Sequence, residues 1–146
     1  MPSLKSLGVP AQFLNAKLSS VVPLSRMRQL EQRLLGKWFR HERLCLGPDQ
    51  PWLGRQWELR IASVRDSIYK VGLETISGDY EESVEFASRV HELISATFGQ
   101  AEGKGEGVWI WDADDGNVVL QVAHVMEERR VMVFLTSRNA QQFQRK

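Results

Sequence analysis

The part of the sequence that most restricts the fold is an alternating run from Val108 to Thr136, interrupted by two groups of turn-forming residues. Apolar residues recur there with the two-residue period of β-strands, which predicts strands around 108–112, 117–125 and 130–136. Strands joined by such short connections must lie antiparallel to each other. The segment is therefore predicted to form an antiparallel meander.

The acidic turn between the first two strands runs from Asp112 to Asn117 and contains Asp114, Asp115 and Gly116. A calcium-binding EF-hand loop needs glycine at its sixth position, glutamate at its twelfth and helices on both sides. Here the glycine comes one position too early and the flanks are strands, so a hairpin is the better interpretation. A three-residue turn with Gly116 in the left-handed conformation is preferred; a two-residue Asp115-Gly116 turn would shift every cross-strand partner by one.

The preferred register gives this meander two apolar faces. One face would be aliphatic, with Val108, Ile110, Val118, Leu120, Val122, Val131, Val133 and Leu135. The other would carry Trp109, Trp111, Val119, Gln121, Ala123, Met132 and Phe134. A sheet face in contact with water normally carries polar residues, so the second face needs a cover: the N-terminal helix, a second copy, or a ligand or partner. We predict a partner-binding surface formed by Trp109, Trp111, Met132 and Phe134.

The rest of the chain supplies further elements of the same domain. Proline-containing residues 1–24 are interpreted as an N-terminal arm, followed by an amphipathic helix at 25–43. Two strands around 56–64 and 67–76 precede a capped helix at 79–98, and 138–146 is a polar tail. The expected fold class is α+β, a single domain (25–146) with an antiparallel sheet of about five strands in α-β-β-α-β-β-β order; its sheet and second helix occupy 55–137.

The charge is distributed unevenly along the chain. Residues 1–46 contain eight Lys and Arg against two Asp and Glu, whereas the remainder contains 11 against 16. Docking of the basic arm on the acidic body is one explanation; binding of the helix to nucleic acid or an anionic membrane surface is another. The candidate residues for such a surface are Arg26, Arg33, Lys37, Arg40 and Arg43. An isoelectric point near 7.9 disfavours a dedicated nucleic-acid-binding protein.

No residue pattern identifies a reaction. The single cysteine, Cys45, rules out an intramolecular disulfide and fits the cytoplasm. Its spacing from His41 would allow a thiol–imidazole pair on a helix, but no orienting acid accompanies them. The three histidines lack ligand spacing, so neither a metal nor a cofactor is expected. The sequence also has no apolar run of transmembrane length and no secretory signal.

These observations favour a non-enzymatic binding, adaptor or chaperone-like domain that is homodimeric or has a protein partner. It would act through the apolar sheet face and the basic helix. The alternative is a small-ligand carrier or enzyme whose pocket lies between helix and sheet, with Tyr69, His124 or Cys45 at its mouth. The expected architecture is broadly similar to that of small secretion chaperones and adaptor domains, a likeness of fold that carries no function with it.

Overall fold

The computed structural model describes residues 2–21, 28–30, 42–46, 49–64, 66–77, 80–125 and 128–138. Two 3-10 turns, Leu4–Leu7 and Val9–Ala11, precede the short helix α1 (Leu18–Val21), and the long helix α2 spans Tyr80–Phe98. The strands are β1 (Arg28–Leu30), β2 (Glu42–Leu46), β3 (Gln50–Trp52), β4 (Arg55–Val64), β5 (Ser67–Ser77), β6 (Glu102–Gly103), β7 (Val108–Ala113), β8 (Gly116–Val125) and β9 (Glu128–Ser137). The protein is α+β with an antiparallel sheet, as expected.

The sheet is larger than the sequence suggested. Its strands lie in the order β1-β2-β4-β5-β9-β8-β7-β6, and β3 pairs with β4. The prediction of about five strands in α-β-β-α-β-β-β order is therefore wrong in its details. The helix predicted at 25–43 is also wrong where it can be compared, because Arg28–Leu30 forms a strand paired with Leu44–Leu46. The apolar residues in this segment have the spacing of a helix face, but antiparallel pairing with β2 favours a strand instead. Strand β2 itself pairs with β4.

Helix α2 agrees with its sequence pattern. Glu81 and Glu82 lie in its first turn, where carboxylates stabilise the positive end of the helix dipole, and Glu82 also pairs with Arg55 at 2.6 Å. The helix ends at Gly99, whose φ of 91° is left-handed and whose N–H donates to the Ser95 carbonyl at 2.8 Å. Its buried stripe packs on one face of the sheet and consists of Phe86, Ala87, Val90 and Ile94.

The N-terminal residues cover the same face of the sheet as α2. Their buried side chains belong to the main core cluster and are those of Leu4, Leu7, Ala11, Leu14 and Leu18. The backbone is fixed to the start of β5: the Asn15 N–H donates to the Ile68 carbonyl at 2.8 Å, and the Ile68 N–H donates to the Ala16 carbonyl at 3.0 Å. The arm therefore completes the core, because it buries apolar area that α2 leaves uncovered.

The register of the β7–β8 hairpin differs by one residue from the preferred prediction. Trp111 lies opposite Val118, and the turn consists of Asp114 and Asp115 alone. Gly116 is already the first residue of β8 and has no left-handed backbone. Its lack of a side chain serves a close approach instead: a Cβ there would overlap the Thr136 carbonyl oxygen and lie 2.7 Å from Leu4 Cδ1.

We expect Gly116→Ala to lower the free energy of unfolding by about 1–3 kcal/mol, because a backbone carbonyl has to move to admit the methyl group. The matched control is Gly103→Ala, a strand position where a Cβ meets no atom within 4 Å. Its effect should stay within about 0.5 kcal/mol in urea denaturation. Similar losses for both variants would contradict the close packing of Leu4 and β9 on the hairpin.

Candidate functional site

The observed register separates the four residues predicted to form a partner-binding surface. Trp109 and Trp111 lie on the core face with α2, where Trp111 is fully buried and Trp109 is partly exposed. Met132 and Phe134 lie on the opposite face, since they alternate with the buried residues Val131 and Val133. The predicted grouping of the two tryptophans with Met132 and Phe134 is thus wrong.

The face opposite α2, here called the outer face, has an apolar centre of its own. Ile110 lies opposite Val119, and Val119 lies opposite Phe134 on the next strand. These residues and Met132 are partly exposed, and none belongs to the core cluster formed by the described residues. The Phe134 ring lies over Gly72, where a Cβ would come within 2.9 Å of two ring carbons. The glycine therefore allows the ring to lie flat against the sheet.

Charged side chains flank this apolar centre and are paired with one another. Glu74 accepts from Arg60 at 3.0 Å and from Arg130 at 3.2 Å, and Arg60 also contacts Glu58 at 3.0 Å. Lys70 places its Nζ 5.2 Å from the centre of the Phe134 ring. The network contains two carboxylates and two guanidinium groups, so its net charge is zero. Most of the charge beside the apolar centre is therefore neutralised within the protein.

A groove with a volume of about 730 Å³ lies on the other side of the sheet, between α2 and strands β7 and β8. A second hollow of about 490 Å³ adjoins it toward the end of α2, and both are lined by His91 and Trp109. Several residues that line the larger groove are small and leave space between its walls, among them Ala87, Ser88, Gly107 and Ala123. Polar and charged residues line it as well: Glu92, Glu106, His124 and Arg129.

His91 is held beside both tryptophans. Its ring centre lies 5.4 Å from that of Trp109 and 5.1 Å from that of Trp111, each in an edge-on arrangement. Trp111 Nε1 donates to Ser95 Oγ at 3.2 Å, and the same oxygen lies 3.5 Å from His91 Nδ1. Ser95 Oγ therefore connects the indole of Trp111 to the imidazole of His91.

Some of the remaining candidates from the sequence lie within the described residues, and others lie outside them. His124 lines the groove, whereas Tyr69 is buried and is not among the lining residues. Cys45 and Arg43 belong to β2, and only their backbone is described. The other residues proposed for anionic surfaces and the histidine near Cys45 lie outside the described residues: Arg26, Arg33, Lys37, Arg40 and His41. The sequence did not predict that His91 and the partly exposed Trp109 line a groove together, because their meeting depends on the register of the hairpin.

No group of three or more potential metal ligands occurs among the described residues. Within the same ranges, none of the helices has both the length and the apolar character needed to cross a membrane. Comparison with protein-family models, characterised proteins and solved structures finds no match to this chain. The geometry therefore provides the basis for a functional hypothesis.

Proposed function

We propose that the protein is a non-enzymatic binding domain that pairs with a second copy of itself through the outer face. The supporting observation is the partly exposed apolar centre of Ile110, Val119, Met132 and Phe134 on the face opposite α2. Burial of such a patch removes apolar surface from water, at about 25 cal/mol per Å². Among soluble oligomers, two-fold dimers in which identical patches meet are the commonest form.

The charges around the patch fit a second copy. A strongly charged rim would repel its own copy and select a partner of opposite sign. Here Glu58, Arg60, Glu74 and Arg130 form a balanced network, so two outer faces can approach without net repulsion from these groups. The contact would be mainly apolar, and its stability should depend little on salt.

The test is the solution mass by light scattering after gel filtration, at low and high salt. We expect twice the chain mass of 16.7 kDa under both conditions. Val119→Lys introduces a charge at the centre of the outer face and is expected to yield a folded monomer whose melting temperature, unlike that of the wild type, does not depend on protein concentration. A wild-type protein that is monomeric at micromolar concentrations would overturn the proposal.

The matched control is Leu93→Lys, which changes an exposed apolar residue on α2, away from the outer face. This variant should remain dimeric, because the substitution adds charge without touching the proposed contact. Dissociation by Leu93→Lys but not by Val119→Lys would assign the interface to the helix side and contradict the outer-face contact.

A further inference from the structure

We infer that the groove between α2 and strands β7 and β8 is a second binding site, which takes an uncharged planar heteroaromatic ring with hydrogen-bond acceptors. This site is independent of the proposed dimer contact, because it lies on the opposite side of the sheet. Its volume of about 730 Å³ is within the range of small-molecule sites, roughly 300–1,000 Å³. The ring would stack beside Trp109 and His91, the two side chains shared by both parts of the groove.

Trp109 differs from two other tryptophans in how its N–H is used. Trp57 Nε1 donates to the Trp52 carbonyl at 2.8 Å, and Trp111 Nε1 donates to the Gly99 carbonyl at 3.1 Å. Trp109 donates to no acceptor within the described residues, although its ring is fixed against the core. A groove-lining indole with a spare donor matches a ligand that presents an acceptor in the plane of its ring.

His91 provides a second polar atom beside Trp109. Its Nδ1 faces Ser95 Oγ, which leaves Nε2 as the ring nitrogen with no hydrogen bond within the described chain. The imidazole is held edge-on to Trp109, so its orientation is determined before any ligand arrives. A fixed N–H donor beside an imidazole nitrogen favours a ligand with ring nitrogens or ring carbonyl oxygens over a hydrocarbon, which carries no acceptor.

The charges lining the groove favour an uncharged ligand. The lining contains the exposed carboxylates of Glu92 and Glu106 together with the guanidinium of Arg129, so a ligand charge of either sign would meet a like charge. The binding energy would therefore come from ring stacking and the Trp109 N–H, with little contribution from net charge.

Three bicyclic aromatic probes of similar size separate these contributions: isoquinoline, which has one acceptor; naphthalene, which has none; and N-methylisoquinolinium, a cation without an acceptor. Each is titrated into the full-length protein while the indole N–H resonances of its tryptophans are followed by NMR. We expect isoquinoline to shift the Trp109 resonance and to bind about five- to tenfold more tightly than naphthalene, the ratio expected for one hydrogen bond. The cation should bind no better than naphthalene.

Two variants of Trp109 test the assigned roles. Trp109→Phe keeps an aromatic ring but removes the donor, so isoquinoline should lose most of its advantage over naphthalene. Trp109→Ala should weaken both probes about tenfold or more. Val119→Lys should leave binding unchanged, which keeps this test separate from the dimer proposal. The inference is overturned if no probe shifts Trp109, if naphthalene equals isoquinoline, or if the cation binds most tightly.

Discussion

Replacement of Trp111 by alanine is expected to lower the free energy of unfolding by about 3–5 kcal/mol, the usual cost of emptying a buried tryptophan site. The Trp111 side chain is 1% exposed and lies between the sheet and α2. The variant would also remove the indole donor to Ser95 Oγ and to the Gly99 carbonyl. Urea denaturation followed by circular dichroism measures the loss.

Trp109→Ala is the natural control, because it removes the same side chain two residues earlier on the same face. Trp109 is partly exposed at the groove and donates no hydrogen bond within the described chain, so we expect less than half of the Trp111 loss. The register preferred from the sequence places both rings on the face opposite α2. Small and equal losses for the two variants would support that register and contradict the structure.

The second large effect is expected at the very beginning of the chain. Leu4→Ala should cost about 2–4 kcal/mol, since Leu4 is 1% exposed and packs against the glycine that opens β8. Lys5→Ala changes the adjacent, exposed residue and should stay within about 0.5 kcal/mol. Equal stability of both variants in urea would mean that the first residues do not unfold together with the rest of the domain.

The elements that could be predicted from the sequence are those in which a periodic pattern and end signals agree. Helix α2 has an apolar stripe, acidic residues in its first turn and a terminal glycine, and its predicted end agrees with the structure. The long strands β4, β5, β8 and β9 alternate in the sequence and occur close to the predicted ranges. In these segments, local preference and tertiary packing favour the same conformation.

The parts that could not be predicted depend on contacts between distant residues. The periodic leucines near Leu30 suggested a helix, yet β1 forms because β2 provides a strand edge. The sequence predicts a left-handed turn at Gly116. Its actual role is to allow the close approach of Leu4 and Thr136, and neither residue is near it in the sequence. That one-residue difference moved both tryptophans to the other face, and the groove with His91 became visible only in the folded chain.

Two hydrogen bonds between the N-terminal residues and the β7–β8 turn restrict the order of folding. The Leu4 N–H donates to Asp115 Oδ1 at 2.8 Å across 111 residues of sequence, and the Asp114 N–H donates to the Pro2 carbonyl at 2.9 Å. A ribosome releases Leu4 and Leu7 long before it makes the hairpin that receives them. During synthesis the first segment therefore cannot dock on the hairpin until the chain has been made at least as far as Asp115.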